Sequence, residues 1–146
     1  MKISTWTRYG TRLMLNLALH YGKGPVLLKD IARDEELSEK YLSQIIIPLR
    51  TYGLVSSFRG ARGGYALTKE PSQIKLREIV EILEGGLDLV ECVKDPSSCP
   101  RTSTCVTRNV WVKITDKITD TLDGISLSDL VKQHRQKSGS AMMYSI

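Results

Sequence analysis

Residues 54–68, L-V-S-S-F-R-G-A-R-G-G-Y-A-L-T, restrict the fold of this chain more than any other stretch. Leu54-Val55 and Tyr65-Leu67 alternate apolar and polar positions on either side of a glycine-rich tip, the pattern of two paired strands, with Gly60, Gly63 and Gly64 supplying the turn. The tip carries Arg59 and Arg62. Arginine on a slim ribbon can enter a minor groove, where negative potential attracts it. A phosphate-cradling loop is the rival reading, but G-A-R-G-G lacks the spacing of a nucleotide fingerprint and no strand-to-helix step surrounds it.

The segment before the hairpin, V-L-L-K-D-I-A-R-D-E-E-L-S-E-K-Y-L-S-Q-I-I-I-P-L-R, divides into two short helices. The first spans Leu28 to about Glu35 with Ile31 and Ala32 inward, and Leu37 plugs the turn. Ser38 is placed to cap the second, whose buried stripe is Leu42, Ile45, Ile46 and Leu49, with a kink expected at Pro48. Two such helices match the helix-turn-helix pattern, whose second helix reads a major groove with its N-terminal residues. Its exposed residues are expected to be Ser38, Glu39, Lys40, Tyr41, Ser43 and Gln44. Gln44 can pair with adenine and Ser43 tolerates several bases, while Lys40 and Arg50 suit phosphate contact. Helix-turn-helix followed by hairpin is a winged helix. The fold class is therefore mainly α with a small β-hairpin wing.

Three flanking segments complete the pattern. Trp6, Tyr9, Leu13, Leu17 and His20 recur at helical spacing over residues 5–21, closed by Gly22, Gly24 and Pro25, with Ser4 or Thr5 as cap. Residues 74–84 form another amphipathic helix that Gly85-Gly86 stop. From about Ser103 to Leu122, Val106, Val110, Ile114, Ile118 and Leu122 recur every four residues, with Trp111 beside the seam. About 20 helical residues span ~30 Å, more than so small a domain buries alone, which points to pairing with a second copy. A two-fold dimer in turn suits a palindromic duplex site. Ser126–Val131 begins a short last helix, and from Lys132 the chain is polar and expected to be loose. This divides the chain into a winged helix-turn-helix DNA-binding domain at 1–85, a cysteine loop at 86–105, a dimerisation helix and short final helix at 103–131, and a flexible tail at 132–146.

All three cysteines, Cys92, Cys99 and Cys105, fall in E-C-V-K-D-P-S-S-C-P-R-T-S-T-C, where Pro96, Pro100 and the Ser/Thr cluster disfavour regular structure. Thiolates able to converge on one point attract soft metals, zinc or the iron of iron–sulfur clusters. Structural zinc prefers C-x(2–4)-C pairs, which these gaps do not offer. Direct oxidation of the thiols is a further reading. A cysteine nucleophile needs a base, and His20 and His134 lie in the first helix and the tail. The odd cysteine count argues against a secreted disulfide framework, and no apolar run reaches the ~18–20 residues of a membrane span, so the expectation is a cytoplasmic protein with reduced thiols and no membrane partner. The formal charge of +5 over 146 residues is modest and matters through its placement at the wing and reading helix.

The motifs Y-L-S-Q at 41–44, L-R-T-Y-G-L-V-S-S at 49–57 and R-G-A-R-G-G-Y-A-L at 59–67, with the cysteine triplet and the Trp111 helix, resemble the IscR-type (Rrf-type) winged-helix transcription regulators from Lys2 to about Val131. The resemblance implies no enzymatic activity, a homodimer formed by the 103–122 helices, and control of iron–sulfur cluster assembly genes. It also implies a cluster, 2Fe–2S or, as an alternative, 4Fe–4S, on Cys92, Cys99 and Cys105. The histidine that cluster-assembly regulators carry three residues after the last cysteine is Arg108 here, the acidic residue that nitric-oxide-sensing relatives carry early in the first helix is Arg8, and Ser43 stands where cluster-assembly regulators can have Glu. The fourth ligand is thus open among Glu91, Asp95, Thr107, Asn109, a partner-subunit residue and a small molecule. Nitric oxide, iron or redox state are alternative signals.

Overall fold

A computed structural model describes residues 2–144, with side chains through 139. Helix α1 (Thr5–Leu19) starts where the Ser4 hydroxyl accepts from the Thr7 amide at 3.1 Å, satisfying one of the first-turn donors. It ends two residues earlier than the apolar spacing suggests, because the His20 amide turns back to the Leu17 carbonyl at 3.2 Å. Helix α2 (Leu28–Glu35) closes on Glu36, whose left-handed backbone (φ 55°) makes the sharp turn into α3 (Glu39–Thr51). Ser38 caps α3 by accepting from the Tyr41 amide at 3.2 Å, as its position suggests. Pro48 lies inside α3, which runs on to Thr51.

Strands β1 (Val55–Phe58) and β2 (Gly64–Leu67) pair antiparallel in the register Val55–Leu67 through Phe58–Gly64. The wing is stitched to the body by a two-bond bridge: the Val26 amide donates to the Tyr65 carbonyl and the Tyr65 amide to the Val26 carbonyl, each at 2.8 Å. Gly64 is required there. Its φ is +138°, and a Cβ would strike the Val26 carbonyl group.

After a 3-10 turn at Pro71–Gln73 come α4 (Leu76–Glu84), the one-turn α5 (Glu91–Lys94), a second 3-10 turn at Pro96–Ser98, α6 (Val106–Asp123) and α7 (Leu127–Tyr144). One apolar core gathers Leu13, Leu17, Ile31, Leu42, Ile45, Leu49, Ile74 and Ile79, and the start of α7 contributes Leu127 and Val131 to it. The α6–α7 link is tied to α4 by Leu76 N–H to Ile125 O at 2.8 Å and Leu127 N–H to Ile74 O at 2.9 Å. The C-terminal elements therefore close the domain that α1–α4 and the wing form.

Three sequence expectations are corrected. The last helix is long, not short: α7 continues past Lys132 to Tyr144, and residues 145–146 of the expected tail lie outside the described residues. Its Gln, Lys and Arg are good helix formers but leave no apolar period to detect. The cysteine segment contains α5 and a 3-10 turn where no regular structure was expected. Finally, α6 begins at Val106, since Cys105 is still extended (φ −78°, ψ 109°).

Candidate functional site

The turn from α2 to α3 is clamped onto α1. Arg12 donates from Nη2 to the Glu35 carbonyl and from Nε to Glu35 Oε2 at 3.4 Å, and the buried Asn16 donates from Nδ2 to Glu35 Oε1 at 3.4 Å. With Leu42, Ile45, Ile46 and Leu49 buried, the 100° step of a helix leaves Lys40, Ser43, Gln44 and Ile47 along the outer face of α3, and all four are exposed. Ser38 and Arg50 are exposed at its two ends. Ser43 Oγ donates to the Lys40 carbonyl at 2.6 Å, leaving its lone pairs outward.

Tyr41 differs from expectation. Its ring is half-buried, edge-on to Trp6 (centroids 5.6 Å, 88°) and to Tyr9 (5.7 Å, 84°). This aromatic trio fastens the first turn of α3 to the first turns of α1, so Tyr41 orients the reading helix before it contacts anything else. Ile47 is 57% exposed in the middle of the outer face and Phe58 51% exposed on the wing. The apolar pattern assigns neither, because hydrophobic spacing selects residues for the core.

Arg59 and Arg62 stand exposed on the wing tip, which the Gly63 amide closes onto the Gly60 carbonyl at 3.0 Å. Between the wing, α3 and the first turn of α2 lies a cleft of about 530 Å³, bordered by Lys29, Glu39, Arg50, Ser57 and Arg59. Lys29 enters from α2, which the sequence treats only as support for α3.

At the other end of the domain, Cys92 sits in α5, Cys99 follows the second 3-10 turn, and Cys105 is the N-cap of α6. All three are half-buried free thiols. The polar cluster between them ties the segment: Asp95 Oδ1 accepts from the Ser97 amide at 3.0 Å and its hydroxyl at 2.6 Å, and the Thr102 hydroxyl bridges the Pro96 and Cys99 carbonyls at 2.6 and 2.8 Å. The Ser97 hydrogen bonds hold the Asp95 carboxyl below its ordinary range. Cys105 is also lowered, first by the Thr107 hydroxyl 3.2 Å from its Sγ, then by backbone N–H groups of Arg108 and Thr107 and the charge of Arg101, against a smaller opposing effect of burial.

The donor chemistry of the three thiols fits a thiophilic iron centre. Their disposition does not close on one: among the described residues no group of three or more His, Cys, Asp or Glu is arranged to hold a metal ion. Of the candidate fourth ligands, Glu91 and Asn109 are exposed, Asp95 is engaged by Ser97, and Thr107 is engaged by Cys105. Arg108 donates from Nε to the Cys92 carbonyl at 3.3 Å. Among the described residues no helix is long and apolar enough to cross a membrane.

A capped reading helix beside a two-stranded arginine-tipped wing defines a winged-helix DNA-binding regulator. Residues 3–133 match the family model described as "Rrf2: Iron-dependent Transcriptional regulator". The chain is 41% identical to the HTH-type transcriptional regulator CymR of Bacillus subtilis over 144 residues, 99% of each protein. Among solved structures it resembles that of CymR, the global cysteine regulator of B. subtilis (TM-score 0.77, 42% identity, 91% of this chain and 98% of that one). It is similar also to T. potens IscR (TM-score 0.75, 43% identity, 92% and 88%). The chain belongs to the Rrf2 family of winged helix-turn-helix transcription regulators. Its class is thus that of a DNA-binding, dimeric regulator, not an enzyme.

Proposed function

We propose that this regulator adjusts its grip on a palindromic operator to the state of an iron–sulfur cluster held by Cys92, Cys99 and Cys105 of each subunit, 2Fe–2S by resemblance, in control of iron–sulfur cluster assembly genes. The observation that carries the reading is the position of Cys105 as N-cap of α6, with Arg108 in the next turn bonded back to the helix of Cys92. A cluster would supply a removable inorganic centre that prefers thiolate ligands. The chain's own residues do the rest. Thr107 and the amides at the start of α6 favour the Cys105 thiolate, and Arg108 couples the first turn of α6 to α5. The α6–α7 link is bonded to α4, which shares the core of α3. A change in the cysteine segment thereby has a continuous packed route to the reading helices, and it shifts DNA affinity only by its differential stabilisation of the two states.

Oxygen-free purification with iron and sulfide analysis, followed by DNA binding of the Cys92→Ala, Cys99→Ala, Cys105→Ala triple variant, tests this. Iron and sulfide in the native protein, and altered operator affinity in the variant, are expected. Protein that never contains iron or sulfide refutes cluster sensing. A metal-free, thiol-responsive regulator is the second reading, favoured by the end-to-end similarity to CymR, the global cysteine regulator of B. subtilis, and by the absence among the described residues of a metal-holding group that includes the three thiols. It requires a metal-free native protein whose DNA affinity changes on thiol oxidation.

A further inference from the structure

A helix in a major groove and a wing in the neighbouring minor groove must straddle the sugar–phosphate strand that separates the two grooves. The place for that strand is the cleft between α3 and the wing. Its border holds three cations, Lys29, Arg50 and Arg59, two hydroxyl-bearing residues, Ser57 and Tyr65, and one acid, Glu39. Lys29, Arg50, Arg59 and Glu39 are all exposed, and none takes part in an ion pair among the described residues. Cations without an ion-pair partner around one concavity are set for a polyanion. The first turn of α2 adds to this. No side chain caps it, so its N–H end favours negative charge, part of which Asp30 in the same turn already supplies.

We propose that this cleft seats one strand of the duplex, with Lys29 as its contact from α2, Arg50 from α3 and Arg59 from the wing, and with Glu39 lowering affinity for every sequence. The inference rests on the DNA-reading assignment of α3 and the wing, and adds Lys29, Ser57 and Glu39 to it. Glu39 is the first residue of α3, where the helix dipole favours its charge. Beside a phosphate strand the same charge is repulsive. It therefore restrains backbone binding and leaves more of the total affinity to base contacts. An acidic residue kept there for helix stability alone would have no such effect on DNA.

The test compares the full-length protein with its Lys29→Gln and Glu39→Gln variants. Binding to a fluorescent random-sequence duplex, and to the best duplex from in vitro selection, is followed by anisotropy over a series of KCl concentrations. Lys29→Gln is expected to weaken both duplexes by a similar factor and to reduce the log–log salt slope by about 0.9 per subunit, the value for one phosphate contact. Glu39→Gln is expected to strengthen both, and the random duplex at least as much. Opposite signs at two residues of one cleft mark a polyanion; loss of architecture would weaken binding in both variants. If Lys29→Gln left affinity and slope unchanged while Arg62→Ala still weakened binding, the cleft assignment would fail and the DNA-reading assignment would stand. Glu39→Gln weakening both duplexes would overturn the role given to that residue. A wild-type protein that bound neither duplex at any salt would overturn both assignments together.

Discussion

Arg108 Nε donates to the carbonyl oxygen of Cys92 at 3.3 Å, joining the first turn of α6 to a helix sixteen positions upstream. It is the one side-chain hydrogen bond among the described residues that ties α6 to α5. Removing it by Arg108→Ala is expected to cost little global stability, about 0.5–1.5 kcal/mol. The same change should raise amide exchange in residues 91–99 well above that of α3. Hydrogen exchange read by mass spectrometry decides this, and unchanged exchange would mean that the local turns hold the segment unaided. Arg108→His is the companion experiment. If the cysteines hold iron, a histidine at 108 raises the iron retained per subunit; if they do not, iron content stays at background.

Cys105 supplies a second prediction, in reactivity. The Thr107 hydroxyl and the α6 amides favour its thiolate in the folded chain, so its folded pKa lies below its unfolded one. Reaction of Cys105 with iodoacetamide should therefore reach half its maximal rate at a lower pH in native, metal-free protein than in urea. Thr107→Val should move the native midpoint upward. Peptide mapping across a pH series measures both, and coincident native and unfolded midpoints would show that the hydrogen bond is absent in solution.

The parts legible in the sequence are those in which one local rule suffices. The α3 stripe follows from 3.6-residue spacing, Ser38 from the chemistry of an N-cap, and the wing from glycines between two alternating runs. Where the deciding fact is tertiary, the sequence is silent. Lys29 looks like an ordinary solvated helix residue until the wing is folded beside it. Tyr41 looks exposed until Trp6 and Tyr9 meet its edge. The one-turn α5 is too short to show a period, and α7 from Lys132 to Gly139 is polar and has none. The three cysteines are conspicuous in the sequence, whereas their separation depends on how Ser97 and Thr102 bend the backbone between them.

A third prediction concerns acid stability. Glu84 Oε1 accepts from the Ser4 amide at 2.7 Å, joining the end of α4 to the start of α1. This bond, then the Thr7 hydroxyl, holds the Glu84 carboxyl below its ordinary range, against a smaller effect of burial. A carboxyl with a depressed folded pKa contributes stability above its unfolded pKa, and the contribution disappears as pH falls through the folded value. Glu84→Gln should accordingly lower stability near neutral pH and converge on the wild type in strong acid. Urea unfolding at several pH values measures the gap. A gap that failed to shrink between pH 6 and the acid limit would assign the loss to packing rather than charge.

The fourth prediction separates the dimer from the fold. On α6, Val106 and Val110 are 76% and 49% exposed, while Thr115, on the opposite side of the helix from Val106, is buried. The helix thus has an inward side closed by the domain and an outward apolar side left open. Val110→Glu places a charge on that open side without touching the core. It should shift the monomer–dimer equilibrium by at least about 30-fold, the effect of a ~2 kcal/mol interface residue. Helicity by circular dichroism should be retained. Sedimentation equilibrium reads the dissociation, and loss of affinity for two half-sites, with single half-sites bound as before, reads its consequence for DNA. A variant that stayed dimeric would remove α6 as the pairing surface, and the apolar stripe would need another partner.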